Sequence, residues 1–250
     1  MRILLVGDVH GQFHLFHRAL TYIRSTFSID AAIQVGDFGF YEKTLEAFLQ
    51  DDLLFPVPVY AIDGNHEDHT WLSEKSKWNP KINLNYVTRG SILMFASSKI
   101  GFLGGALNTD RPQLQRNYIL PSERIRAAIA FNNSPPDLMI THSCPAAIGI
   151  GMQANKELRD GVNFYIRGKG FDPGPEEDCG EMELTKLWDS LKVRPKAWVF
   201  GHFHCKHKRL VEQTLFCSLP ELQTPSIVIW DSEQKEILDI DLDVDCRTNY

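Results

Sequence analysis

Asp8, His10, Asp37, Asn65, His66, His142, His202 and His204 are the residues of this sequence best suited to doing chemistry together. Two carboxylates, one amide and the imidazoles make a mixed oxygen and nitrogen donor set. Such a set suits manganese, iron or zinc better than magnesium or calcium. A lone histidine is usually an ordinary surface or core residue. These residues are different because they recur at the ends of five short apolar runs. One carboxylate among them can bridge two ions, as two-metal phosphoryl-transfer sites require, with the ions about 3.5–4 Å apart.

The elements that must position them can be read from periodicity. Ile3–Val6 is a short apolar run ending in Gly7-Asp8, the pattern of a buried strand entering a loop. Phe13, Phe16, Leu20, Ile23 and Phe27 have helical spacing. Ala31–Val35 is a second strand, ending in Gly36-Asp37. Leu45, Phe48 and Leu49 continue a helical pattern that breaks near Pro56. Val57–Ile62 is a third strand, ending in Gly64-Asn65-His66-Glu67. The order β-α-β-α-β predicts a mostly parallel sheet, with ligands gathered at the carboxyl ends of its strands. Further on, Ile92–Ala96 and Lys99–Leu103 read as strands joined by a tight Ser97-Ser98 turn. Pro121–Phe131 and Glu181–Leu191 read as helices. Asp137–Thr141 and Lys196–Phe200 read as strands leading into His142 and into Gly201-His202-Phe203-His204. Arg209–Ser218 and Ser226–Trp230 are β-rich, and the tail is acidic. The second half is expected to return as a more antiparallel sheet.

In order, Gly7-Asp8-Val9-His10-Gly11, Gly36-Asp37, Gly64-Asn65-His66-Glu67, Thr141-His142 and Gly201-His202-Phe203-His204 resemble the five blocks of the calcineurin-like metallophosphoesterases. The resemblance spans residues 1 to about 230. It implies an α/β fold, a four-layer α-β-β-α sandwich with two mixed central sheets. It also implies two divalent metal ions, manganese first, with iron or zinc in one position. Asp8, His10 and His204 would hold one ion, Asn65, His142 and His202 the other, and Asp37 would bridge both. His66 would be no ligand. It would face the leaving-group oxygen as general acid or as a stabilising charge. Glu67 would either orient His66 or be a solvated loop carboxylate. A metal-bridging hydroxide would be the nucleophile.

The departures narrow the reading. The second block is Gly36-Asp37-Phe38-Gly39-Phe40-Tyr41-Glu42, without the aspartate-arginine pair of the protein serine/threonine phosphatases. It looks closer to small bacterial and phage phosphoesterases and to lariat-debranching enzymes, although those replace the first aspartate. Leu103-Gly104-Gly105-Ala106 and Asp110-Arg111 resemble a segment of the small members. That makes Arg111 and Arg116 candidates for binding a substrate phosphate, which suits the bidentate geometry of arginine. Arg159, Arg167 and Lys169 are weaker candidates. The expected partner is a phosphate-ester substrate, with a slight preference for diesters of nucleotides or nucleic-acid ends. A phosphomonoesterase and a catalytically inactive scaffold of the same fold are the alternatives.

Composition sets the outer bounds. The 250 residues are 43% hydrophobic and 23% charged, with a formal net charge of −6. This is ordinary globular usage, and it disfavours a general nucleic-acid coat, which would carry a basic face. The five cysteines are odd in number and include no CxxC, which argues against a zinc ribbon or a disulfide framework. No apolar run approaches a membrane span, and the N-terminus does not read as a signal peptide. The expectation is a single cytoplasmic domain over residues 1–250, with no membrane association and no evident protein partner. Ser143–Gly180, long and rich in glycine and proline, is expected to be a lid or substrate wall. His14, His17, His69 and His207 are read as surface residues. Cys144 and Cys205 are read as small packing residues, and Phe13, Phe16, Phe27, Trp188 and Trp198 as core.

Overall fold

The computed structural model describes residues 1–73, 82–112, 117–224 and 226–240. The chain begins with β1 (Arg2–Val6), α1 (Phe13–Phe27), β2 (Ala31–Gln34), α2 (Glu42–Gln50), β3 (Val59–Ala61), α3 (His69–Ser73) and β4 (Leu84–Tyr86). It continues with β5 (Ser91–Phe95), β6 (Ser98–Leu103), α4 (Pro121–Asn133), β7 (Leu138–Thr141), α5 (Lys156–Tyr165), α6 (Met182–Ser190) and β8 (Ala197–Phe200). Four strands close it: β9 (His207–Val211), β10 (Thr214–Ser218), β11 (Ile227–Asp231) and β12 (Glu236–Ile240). They form two six-stranded sheets, ordered β12-β11-β1-β2-β3-β4 and β5-β6-β7-β8-β10-β9.

Side-chain alternation builds four layers from these elements. Ile3 and Leu5 of β1 point into a core between the sheets, where they meet Phe102, Ile140, Val199 and Trp230. Leu4 and Val6 point the other way, against Phe13, Phe16, Leu20 and Phe48 of α1 and α2. In the second sheet, Met139, Trp198 and Phe216 face α4, α5 and α6 through Phe131, Val162, Leu187 and Trp188. Strands buried on both faces must be apolar on both, so they read as continuous runs in the sequence. The structure is therefore the expected sandwich of two mixed sheets between helical layers.

Local chemistry sets the helix ends. α1 stops where Ser28 turns left-handed, at φ 53°, and its N–H reaches the Arg24 carbonyl at 3.2 Å. α4 starts on Pro121, with the Glu123 carboxylate accepting the Leu120 N–H at 2.9 Å. α5 starts where the Asn155 side chain accepts the Leu158 N–H at 2.9 Å.

Several expectations need correction. The second sheet is not the more antiparallel one. Its β6-β7, β7-β8 and β8-β10 pairs are parallel, and only the outer β5-β6 and β9-β10 pairs are antiparallel. Crossovers carrying α4, and then α5 and α6, make the β6-β7 and β7-β8 pairs parallel, while β9 reverses the chain so that β10 runs parallel to β8. The last two strands instead join the first sheet, with β11 antiparallel to β1. The β5-β6 turn falls one residue early, because Ala96 takes the left-handed position at φ 51° and Ser98 already pairs with Phe95. Residues 143–180 contain α5 and three 3-10 turns rather than a structureless loop. Asp178 pins this segment internally by accepting the N–H groups of Gly149 and Gly180 at 3.0 and 3.1 Å.

Candidate metal centre

The loops after β1, β2 and β3 in one sheet meet those after β7 and β8 in the other. Backbone hydrogen bonds stitch them together. The Asp37 carbonyl accepts the N–H groups of Val9 and His10 at 3.0 and 2.8 Å, and the His142 carbonyl accepts that of Gly201 at 3.0 Å. At the end of β2, the buried Gln34 amide donates to the carbonyls of Gly7 and Gly36 at 3.1 and 2.5 Å. It thus ties the first two loops into one unit.

Two groups of candidate ligands result. Asp8, His10 and His204 form one, and Asp8, Asp37 and His142 the other, each with donor atoms within 4.8 Å of one another. Asp8 Oδ1 accepts the backbone N–H of His202 at 3.0 Å, which leaves Oδ2 facing His204 Nε2 at 2.9 Å and His10 Nε2 at 3.8 Å. Asp37 repeats the pattern. Its Oδ1 accepts the His66 N–H at 2.8 Å, and Oδ2 lies 3.4 Å from His142 Nε2. Asn65 Oδ1 is 2.9 Å from the same imidazole nitrogen. His142 Nδ1 lies 3.1 Å from the Val35 carbonyl, so this side donates and Nε2 is the free ligand nitrogen. The His202 ring stands beside this group, its centroid 5.0 Å from that of His142.

The backbone carries strain to achieve this. His10, Asp37, His202 and His204 have φ of 49°, 53°, 67° and 51°, a region costly for residues with a Cβ. Close approach does the rest. A Cβ on Gly36, itself at φ 103°, would lie 2.5 Å from His142 Nδ1. One on Gly64 would lie 2.1 Å from Asp37 Oδ1 and 2.4 Å from the Asp37 backbone nitrogen. Gly64→Ala is therefore expected to cost about 1–3 kcal/mol of stability, read as a lowered urea midpoint. An unchanged midpoint would contradict this packing.

The electrostatics fit divalent cations. Burial opposes ionisation of Asp37, yet His142 and then His66 hold its carboxyl well below the usual range. Burial also opposes a charged His142, but Asp37 and then Asp8 lift its pKa to about 9. Burial, followed by the charge on His142, pushes His202 down to about 3. His204 is raised, first by its hydrogen bond to Asp8, against burial. Two buried carboxylates thus call for positive charge at a point ringed by imidazole and amide donors. Manganese, iron or zinc ligation supplies that combination of charge and donor type.

The neighbours of this centre were mostly invisible in the sequence. Glu67 neither orients His66 nor lies in solvent. It is buried, and its carboxylate accepts the N–H groups of Phe38 and Phe40 at 2.8 and 2.6 Å, bracing the loop after Asp37. Tyr41 donates its hydroxyl to the His66 carbonyl, and burial, then Glu67 and Asp37, push its pKa up to about 12. Asp63, just before Gly64, is fully buried against Arg89 at 2.5 Å and Tyr86 at 2.9 Å. The amides of Asn108 and Asn117 both reach the Asn65 carbonyl. Asp63, Tyr86, Arg89, Asn108 and Asn117 stand in none of the five blocks, and their long sequence separations hide them.

The other candidates are placed as follows. Arg111 is exposed, next to Asp110, whose carboxyl is lowered first by Lys169 and in part by His66. Arg116 lies outside the described residues. Lys169 forms an ion pair with Asp110, and Arg167 one with Glu177 at 2.5 Å. Arg159 donates to the Gln153 carbonyl at 3.2 Å. His14 is a surface residue on α1, 2.6 Å from Asp51. His69 is only half-exposed, because α3 tucks it beside Asp63. Cys144 is buried core, and burial pushes its thiol pKa well up. Phe27 is partly rather than fully buried, at the frayed end of α1.

Comparison with known proteins is consistent with this centre. The family model described as calcineurin-like phosphoesterase matches residues 1–206. Over 245 residues the chain is 21% identical to a lariat debranching enzyme of Arabidopsis thaliana, covering 85% of this chain and 56% of that protein. The chain thus spans about half the length of the curated relative it matches. Among solved structures it resembles TT1561 of Thermus thermophilus, with a TM-score of 0.64 and 11% identity, over 96% of this chain and 98% of that one. It also resembles a putative 5'-nucleotidase of Staphylococcus aureus, with a TM-score of 0.54 and 11% identity, over 96% of this chain and 52% of that one. No helix among the described residues is long and apolar enough to cross a membrane.

Proposed function

The chain belongs to the calcineurin-like phosphoesterase family, and on that footing we propose that it is a dinuclear metal-dependent hydrolase of phosphodiesters. The observation that carries the reading is the convergence of the donor atoms of Asp8, His10, Asp37, His142 and His204 at one rim. Asp8, His10 and His204 would hold one ion, Asn65, His142 and His202 the other, and Asp37, whose Oδ1 already accepts the His66 N–H, would serve both. Such a pair of ions supplies Lewis-acid charge and a nucleophile at neutral pH; manganese is the first candidate. The work of the chain is positional. Asp8 and Asp37 present one oxygen each, His66 protonates or stabilises the leaving oxygen, and Arg111 grips a non-bridging phosphate oxygen.

Two features favour a diester. The second block lacks the phosphatase aspartate-arginine pair, and the curated relative is a debranching enzyme. Nucleotides or short nucleic-acid ends are the substrate class, since a net charge of −6 argues against a long duplex. Segment 143–180 forms a wall beside the site, held to the Arg111 loop by the Lys169–Asp110 pair.

The test is reconstitution of the metal-free protein with manganese, iron, zinc or magnesium. Each form is assayed on bis-p-nitrophenyl phosphate and on p-nitrophenyl phosphate. Two ions per chain and faster diester cleavage are expected. Faster monoester cleavage would make it a phosphatase, and no bound metal with no turnover would leave a scaffold. In the active form, Arg111→Ala should raise KM about tenfold, the worth of one charge-assisted hydrogen bond, with little change in kcat. An unchanged KM would remove Arg111 from the substrate site.

A further inference from the structure

We propose that Asn108 and Asn117 are positioning residues, an amide clamp that fixes the Asn65–His66 peptide and with it the relation of His66 to the metal ligands. This rests on the reading of His66 given above.

The Asn65 carbonyl accepts the Asn108 Nδ2–H at 2.6 Å and also an Nδ2–H of Asn117. Both side chains are buried, at 1% and 3% exposure. A carbonyl has two lone pairs, and here both are used. The N–H of the same peptide, on His66, donates to Asp37 Oδ1 at 2.8 Å. The peptide is therefore held on both edges. Rotating its plane would break bonds on opposite sides at once. Donors on the carbonyl also polarise the peptide and strengthen the N–H bond to Asp37.

The direction of these amides follows from their surroundings. Asn108 Oδ1 accepts the N–H groups of Asp110 and Arg111 at 3.0 and 2.9 Å, so its other end must be the donor. The Asn117 backbone carbonyl accepts the Ala106 N–H at 3.0 Å. Arg89, paired with Asp63 and Glu123, donates to the Tyr118 carbonyl at 2.6 Å. The clamp is thus anchored through buried ion pairs at the base of the Gly64 turn. Its two members also differ. Among the described residues the Asn117 side chain bonds to the Asn65–His66 peptide alone, whereas Asn108 additionally shapes the backbone that carries Arg111.

The decisive experiment compares Asn117→Leu and Asn108→Leu with the wild-type chain. Leucine keeps the branched outline and heavy-atom count, with a somewhat larger volume, and removes the donors. Hydrogen exchange at the His66 amide is measured together with manganese stoichiometry, kcat and KM on bis-p-nitrophenyl phosphate. Both variants should exchange the His66 amide at least about tenfold faster and lower kcat about 10–100-fold, as loss of an outer support does. Two ions should still bind. Only the Asn108 variant should also raise KM. Unchanged exchange at His66 in both folded variants would overturn the clamp, whatever happens to turnover. If a leucine variant fails to fold, the alanine variant at the same position, which removes the donor without adding bulk or charge, takes its place under the same criteria. The exchange readout needs no turnover. A chain that cleaves neither ester would therefore defeat the phosphoesterase reading while the clamp is still decided by exchange.

Discussion

Asp37→Asn should lower turnover at least about 10³-fold, the equivalent of several kcal/mol of transition-state charge stabilisation, and weaken binding of both ions. The carboxylate is buried and has no slack. One oxygen is engaged by the His66 N–H at 2.8 Å, and the other faces His142 at 3.4 Å. The asparagine oxygen can keep the first contact, so the loop should retain its shape. The amide nitrogen then replaces the oxygen that faces the ions, and a donor stands where an anionic acceptor is required. Charge is lost at the carboxylate proposed to serve both ions. Elemental analysis after dialysis should therefore show fewer than two ions per chain, along with the loss of rate. A variant that kept two ions and full turnover would remove Asp37 from the bridging role.

His66→Ala should behave in the opposite way with respect to metal. We expect turnover to fall about 10²–10⁴-fold, the range of a positioned general acid, with two ions retained. Among the described residues His66 stands in neither candidate ligand group, and its ring stands 6.1 Å from that of His10, edge to face. Its backbone, by contrast, is anchored, because its N–H goes to Asp37 and its carbonyl receives the Tyr41 hydroxyl. Alanine leaves those main-chain bonds in place. The loss should be larger for esters with poor leaving groups than for p-nitrophenolate, which departs with little help from an acid. Equal losses across leaving groups would make His66 an electrostatic group alone, and an unchanged rate would exclude it from the chemistry.

The candidate ligands were legible because they cluster where apolar runs end, most of them next to a glycine, although His142 and His204 have none beside them. Those features are local, so sequence order displays them. The βαβαβ half was legible for the same reason, down to the bounds of α1. What escaped was long-range or short. β4 and α3 span only three and five residues, too few for a period to show. α5 carries Gly161 and alternating charges, which blur its apolar stripe, and only Val162 is fully buried along it. Glu67 was misread because a carboxylate after a catalytic histidine suggests a partner for that histidine, whereas the Phe38 backbone it braces lies 29 positions away. Asn108 and Asn117 look like ordinary loop residues until the fold brings both onto one carbonyl.

The place of β1 in its sheet bears on how the protein is made. Its neighbours are β2, which follows soon after it in the chain, and β11, whose Trp230 sits opposite Ile3. At roughly 5–20 residues per second, a ribosome that has released β1 takes on the order of ten seconds or more to deliver that second neighbour. Throughout this interval one edge of an apolar strand is bare, and such edges recruit other chains. The Leu222 N–H that holds the Asp8 carbonyl at 2.9 Å is equally late. The first candidate ligand translated is thus among the last to be locked. Premature termination before β11 should yield chains that aggregate, read as loss of the truncated chain from the soluble fraction.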